Sequence, residues 1–185
     1  VAITSESIST KDTMRVVWDD LLPEIKPAPL AGNQAAHDRL MQNLKALAYE
    51  PPKMAAHSPI ESAISGEEFV LDKNEFNAKA VSFIFKGDTC LFTLKEEGKP
   101  DILIMGGMNY WIRDGNRKPE AHSLFSLRRI DFDSIVAASA TWKDEHTLLL
   151  TWRFIETVHG DSLICTFNED QLRIQFLFSV ARLQN

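Results

Sequence analysis

Chemistry at neutral pH calls for a nucleophile beside a base, a pair of carboxylates or a cluster of metal ligands, so the histidines come first. His37, His57, His122, His146 and His159 are spread over turns and a linker, with no two at ligand spacing on one element. They read as solvent-exposed, and neither a metal nor a cofactor is expected. His159, Asp161 and Ser162 are the residue types of a hydrolytic triad, but near-consecutive turn residues cannot present their side chains as a relay. Cys90 and Cys165 lie far apart in strand-like runs, which is neither a metal spacing nor a disulfide framework. Both read as buried thiols, and a bridge between them would need an oxidising compartment.

The aromatic residues are the stronger candidate. Trp111 and Trp152, with Arg113 nearby and Glu156 on the strand face of Trp152 and Phe154, could border a barrel mouth and bind a small apolar ligand. Glu156 would then pair with Arg113 or Arg153, because a lone buried charge is costly. The plainer expectation is that Tyr110, Trp111, Trp142, Trp152 and the phenylalanines fill the core of a small domain.

The net charge of −6 opposes a polyanion partner, since the only adjacent basic pair in the β-rich half is Arg128-Arg129. No apolar run approaches the roughly 18 to 20 residues that cross a bilayer. The first residue is Val1 rather than methionine, within a strand-like Val1-Ala2-Ile3-Thr4, so a processed or cut fragment is expected.

Three regions differ in pattern. Residues 1–25 read as a short strand, a polar turn and a helix in which Met14, Val17, Trp18, Leu21 and Leu22 recur at helical spacing, with Thr10 as candidate cap. Residues 26–59 read as a linker rich in proline, Pro27, Pro29, Pro51, Pro52 and Pro59 each denying the backbone a donor. Within it Ala36, Leu40, Leu44 and Leu47 predict a helix near 33–48, capped by Asn33. Residues 60–185 have a period of two: Phe69 and Leu71; Val81, Phe83 and Phe85; Leu91 and Thr93; Leu148, Leu150, Trp152 and Phe154; Leu163, Cys165 and Phe167; Leu172 to Val180. Short turns such as Lys86-Gly87-Asp88, Glu97-Gly98 and Asn168-Glu169-Asp170 predict antiparallel neighbours. About eight strands in an antiparallel up-and-down barrel, partly open, is the expected architecture, because closure removes exposed edges.

Val1-Ala2-Ile3-Thr4, then Asp12-Thr13-Met14, then Val16-Val17-Trp18-Asp19-Asp20-Leu21-Leu22-Pro23 resembles the last strand and C-terminal helix of serine β-lactamase-family hydrolases, the group related to class C β-lactamases and penicillin-binding proteins. Ile64-Ser65-Gly66 through Asn74-Glu75, together with Ala140-Thr141-Trp142 and Leu148 through Thr157, is similar to the β-rich, lipocalin-like extension that many of these hydrolases carry after a proline-rich linker.

The resemblance implies that the catalytic residues belong upstream. No serine here has lysine three positions on, Tyr49 and Tyr110 do not open a Tyr-x-Asn element, and His159-Gly160 lacks the spacing of a His-x-Gly strand. It therefore implies a non-catalytic accessory domain that packs on, or shapes access to, the catalytic domain of the same parent chain, outside the cytoplasm (periplasmic or secreted). The alternative is a lipocalin-like module for a small hydrophobic or cell-wall-derived ligand, with Trp111, Arg113, Trp152 and Glu156 around it. Met14, Val17, Trp18, Leu21 and Leu22 would form the interaction surface, seeking burial worth roughly 1.5 to 3 kcal/mol per large side chain. In this chain they are expected to pack on the β domain, on the helix near 33–48, or on a second copy in a homodimer.

Overall fold

The structure, a computed structural model, describes residues 10–29, 31–74, 76–113, 115, 135–155, 159–169 and 171–178. The chain divides into two compact units, Val1–Tyr49 and Glu50–Asn185. The predicted strand at residues 1–4 lies outside the described residues.

In the first unit, α1 (Thr10–Arg15) runs directly into a π-helical segment, Val16–Leu21, closed by the Leu22 amide donating to the Val17 carbonyl at 2.9 Å. Thr10 is thus the first helical residue rather than the cap. The wider π turn also shifts the apolar stripe: Val17 is half-buried while Trp18 is 62% exposed. The second helix, α2 (Gln34–Ala46), starts as expected, with the Asn33 side chain accepting from the Ala36 amide at 3.0 Å. Leu40, Met41 and Leu44 on it are exposed.

The second unit is mainly β, a nearly closed barrel of eight strands. In chain order and sheet order alike these are β1 (Glu68–Val70), β2 (Ala78–Lys86), β3 (Thr89–Glu96), β4 (Ile102–Met108), β5 (Val136–Asp144), β6 (Thr147–Phe154), β7 (Gly160–Asn168) and β8 (Gln171–Phe178). A four-residue helix, α3 (Glu61–Ile64), precedes them. This unit begins at Glu50. Its first residues form a strap: Ala55 and Trp142 exchange backbone hydrogen bonds of 3.1 and 2.8 Å, and Asn109 accepts from the Met54 amide and donates to its carbonyl.

Strands β6 and β7 turn the expected residues inward, and on β8 Leu172, Ile174 and Phe176 pack against the core, while the Phe178 side chain and Val180 lie outside what the structure describes. In β3 the phase is reversed: Cys90, Phe92 and Leu94 are buried, whereas Leu91 and Thr93 are half-buried. The turn at Gly87 and Asp88 enforces this, because it pairs Phe85 with Cys90 and Phe83 with Phe92, and residues opposite one another share a face.

The sheet order is up-and-down as expected, with one parallel pair. β4 and β5 are parallel, through Gly107↔Ser139 and Met108↔Ala140, so the barrel is not wholly antiparallel. The physical reason is connection length: residues 109–135 between them exceed the dozen or so that a parallel crossover needs, and the tight turns elsewhere do not. Gly106 permits the approach, since a Cβ there would lie 3.1 Å from the Ser139 carbonyl carbon and 3.3 Å from the Ala140 nitrogen. With six antiparallel pairings and one parallel one, β1 and β8 run in the same direction, and they are not hydrogen-bonded to each other. Among the described residues their junction is the one unsealed seam.

Side chains fill the interior. Phe83 stacks edge-on against Phe167 at 5.4 Å and tilts on Phe92 at 5.6 Å, while Trp152 meets Phe92 at 6.3 Å and Trp142 meets Phe167 at 6.0 Å. Among the described residues no helix is long and apolar enough to cross a membrane.

Candidate functional site

The sequence-predicted ligand residues occupy different environments. Trp152 is buried on β6, opposite Ala138 and Asp161. Trp111 is half-buried in the segment after β4, beside the bridge between Ile112 and Ala138, and Arg113 is exposed. Glu156 lies outside the described residues. Trp152 is thus part of the core, its ring 6.3 Å from that of Phe92. Of the predicted interaction surface, Met14, Trp18, Leu21 and Leu22 are exposed.

A polar node that sequence reasoning missed lies where the strap enters the barrel. Glu61 Oε1 accepts from Trp142 Nε1 at 2.7 Å and from the Ser58 amide at 3.2 Å, and its Oε2 lies 3.3 Å from His57 Nδ1. His57 Nε2 lies 3.4 Å from Asp88, so this histidine sits between two carboxylates rather than alone in a linker. The Ser58 hydroxyl donates to the Glu145 carbonyl at 2.5 Å and accepts from the Ile60 amide at 3.3 Å. Because that hydroxyl proton points at a carbonyl, Ser58 is held as a cap and not aimed at His57 as a nucleophile would be. The signal was present: Ser58-Pro59-Ile60-Glu61 has the sequence pattern of a capping box, and the acid three residues on returns a bond to the Ser58 amide, although the Ser58 hydroxyl takes the Ile60 amide and α3 itself starts after Ile60. A small cleft of about 340 Å³ lies beside this node, against Ser62, Ser65 and Phe85. The arrangement fastens the strap and α3 onto β5 through a nearly saturated carboxylate.

A concavity opens at the seam. A groove of about 730 Å³ runs between β1 and the start of β8, with Phe69, Leu71 and Leu172 as its apolar wall. It is followed at the end of the barrel by a second hollow of about 540 Å³, shared at Glu169 and Gln171 and reaching His146 and Phe167.

No protein-family model, no curated protein and no solved structure matches this chain. Its chemistry is therefore argued from its own groups. Among the described residues no group of three His, Cys, Asp or Glu side chains could hold a metal ion.

Cys90 and Cys165 are free and fully buried, and burial pushes both thiols well above their ordinary value of 9.0; at Cys90 the neighbouring Cys165 and Glu61 push the same way. Both should ignore a thiol reagent in the native protein and react once it is unfolded. The unfolded chain releases these protons near pH 9 and the native chain keeps them, so stability is unaffected below that pH and falls as pH rises through it. The expected slope is about 1 kcal/mol per pH unit for each thiol. Urea midpoints at pH 8 and pH 10 should converge when both cysteines are replaced by alanine.

Proposed function

We propose that this chain is the C-terminal accessory portion of a serine β-lactamase-like hydrolase, with a barrel that does no turnover and packs on, or shapes access to, the catalytic domain of the same parent. The observation that carries the reading is the apolar surface of the first unit. On one short helical segment whose sequence resembles the terminal helix of those hydrolases, Trp18 is 62%, Leu21 49% and Met14 42% exposed. Such a surface is unfavourable in water and calls for a covering partner. The filled barrel supports a structural role over ligand carriage, because Trp142, Trp152, Phe83, Phe92 and Phe154 take the space that a lipocalin-like ligand would need.

The test has two parts. The reading frame should continue upstream of Val1 into a Ser-x-x-Lys motif, and a frame closed without one removes the proposal. In the intact parent, amides of Thr10–Leu21 should be protected from exchange while the same amides in the 185-residue chain exchange rapidly. Hydrolysis by the parent with and without residues 50–185 then separates a domain that shapes the cleft from a passive one.

A further inference from the structure

We infer that the seam between β1 and β8 is a docking site for an extended segment of a partner protein that carries lysine or arginine at alternate positions, entering as an additional strand antiparallel to both edges. Because the single parallel pair reverses the parity of the barrel, β1 and β8 run the same way, and one strand of opposite direction between them would make two antiparallel ladders. The missing element is a strand, not a loop or a helix.

The backbone is set for it. The Leu71 amide donates to the Lys79 carbonyl, so the alternation of the ladder turns the N–H and C=O of Val70 away from β2 and toward the seam. Val70 is 82% exposed, and Leu172, which lines the groove at the start of β8 and whose backbone faces away from β7, is likewise paired with no strand on that side among the described residues. Unpaired edges of this kind are templates for strand addition. The groove of about 730 Å³ between them supplies space, with an apolar wall for every second side chain of the incoming segment.

Charge selects the occupant. Glu67, Glu68, Asp72 and Glu169 line the groove, and among the described residues no cation does. Glu68 is matched by Lys95, whereas Glu67, Asp72 and Glu169 form no ion pair among the described residues. Arg173 is exposed on β8 outside that lining. A strand whose outward residues are lysine or arginine complements this rim, and the rim repels a second copy of a chain whose net charge is −6.

The probe is a fluorescein-labelled synthetic peptide alternating lysine and valine, titrated into the full 185-residue chain at low salt. Saturable binding is expected, with exchange protection gained at Val70 and at Leu172, whose amide faces away from β7, and with weaker binding as salt rises. Joint replacement of Glu67, Asp72 and Glu169 by lysine should weaken binding about tenfold without changing the melting curve, since these are exposed groups. Val70→Pro should also weaken it, because it removes a donor that β2 does not use. Should Val70→Pro unfold the barrel, the charge-reversed protein still decides the matter. The proposal is overturned by an absence of saturable binding, by equal binding of a glutamate–valine peptide, or by binding indifferent to the charge reversal. Protection of Val70 and the outer β8 amides before any peptide is added also overturns it, because the seam would then be filled by the chain's own residues or by a second copy.

Discussion

Replacing Trp142 with alanine is expected to cost the barrel unit about 3 to 5 kcal/mol, a large share of the stability of an ordinary domain. Three losses coincide. The ring is fully buried and touches Phe85 at 5.7 Å and Phe167 at 6.0 Å, so truncation leaves a cavity between β2, β5 and β7. The indole N–H is the 2.7 Å donor to Glu61, which keeps only the Ser58 amide and His57 when it goes. The backbone of the same residue holds the strap through Ala55, so a local collapse at β5 also loosens residues 54–61. Trp142→Phe separates these terms: it retains most of the packing and removes the donor, for an expected cost of about 1 kcal/mol. Urea unfolding of the two variants measures both, and a cost for Trp142→Ala below that of Trp142→Phe would show that this core arrangement is wrong.

Trp142 also shows what a sequence conceals. Its burial was readable, because tryptophan in a β-rich chain of this size belongs in the core. Its partner was not, since Glu61 lies 81 residues earlier in a stretch whose prolines suggest linker. Only the capping box pointed there, and a cap announces a helix start, not a carboxylate that continues into a sheet. Elsewhere, legibility followed how many faces of an element are buried. β6 and β7 alternate cleanly because one face of each meets the core, and their phase was readable from spacing alone. β3 carries Leu91 on its outer face as well as Phe92 and Leu94 on its inner one, so apolar spacing alone left the phase open and turn register settled it. β5 is buried from Val136 through Trp142 and has no period to find. The Asn33 cap was legible because it is local, and the π turn after Arg15 was not because no residue type demands it. The seam groove is a consequence of parity, which no local pattern encodes.

That parity rests on a contact small enough to be broken by a few atoms. Gly106→Val is expected to destabilise the barrel by about 1 to 3 kcal/mol, or more where the strands cannot separate, because its new Cβ meets backbone and not a movable side chain. The Ser139 and Ala140 atoms it would strike belong to the same two residues that pair with Gly107 and Met108, and those two register pairs are the whole β4–β5 ladder. Two other glycines serve as controls. A Cβ at Gly107 would come within 2.6 Å of the Tyr110 ring, and one at Gly160 within 2.4 Å of Arg153 Cδ, but both obstacles are side chains that can swing aside. Gly107→Ala and Gly160→Ala should therefore cost less than Gly106→Val in urea unfolding. Hydrogen exchange should localise the Gly106→Val damage to Asn109, whose amide donates to the Ala140 carbonyl, and to Ala140, leaving the β6–β7 ladder protected, since those strands pair independently of β4. Equal costs at all three glycines would mean that the parallel junction is not the tight point of the barrel, and the direction assigned to β8 at the seam would lose its support.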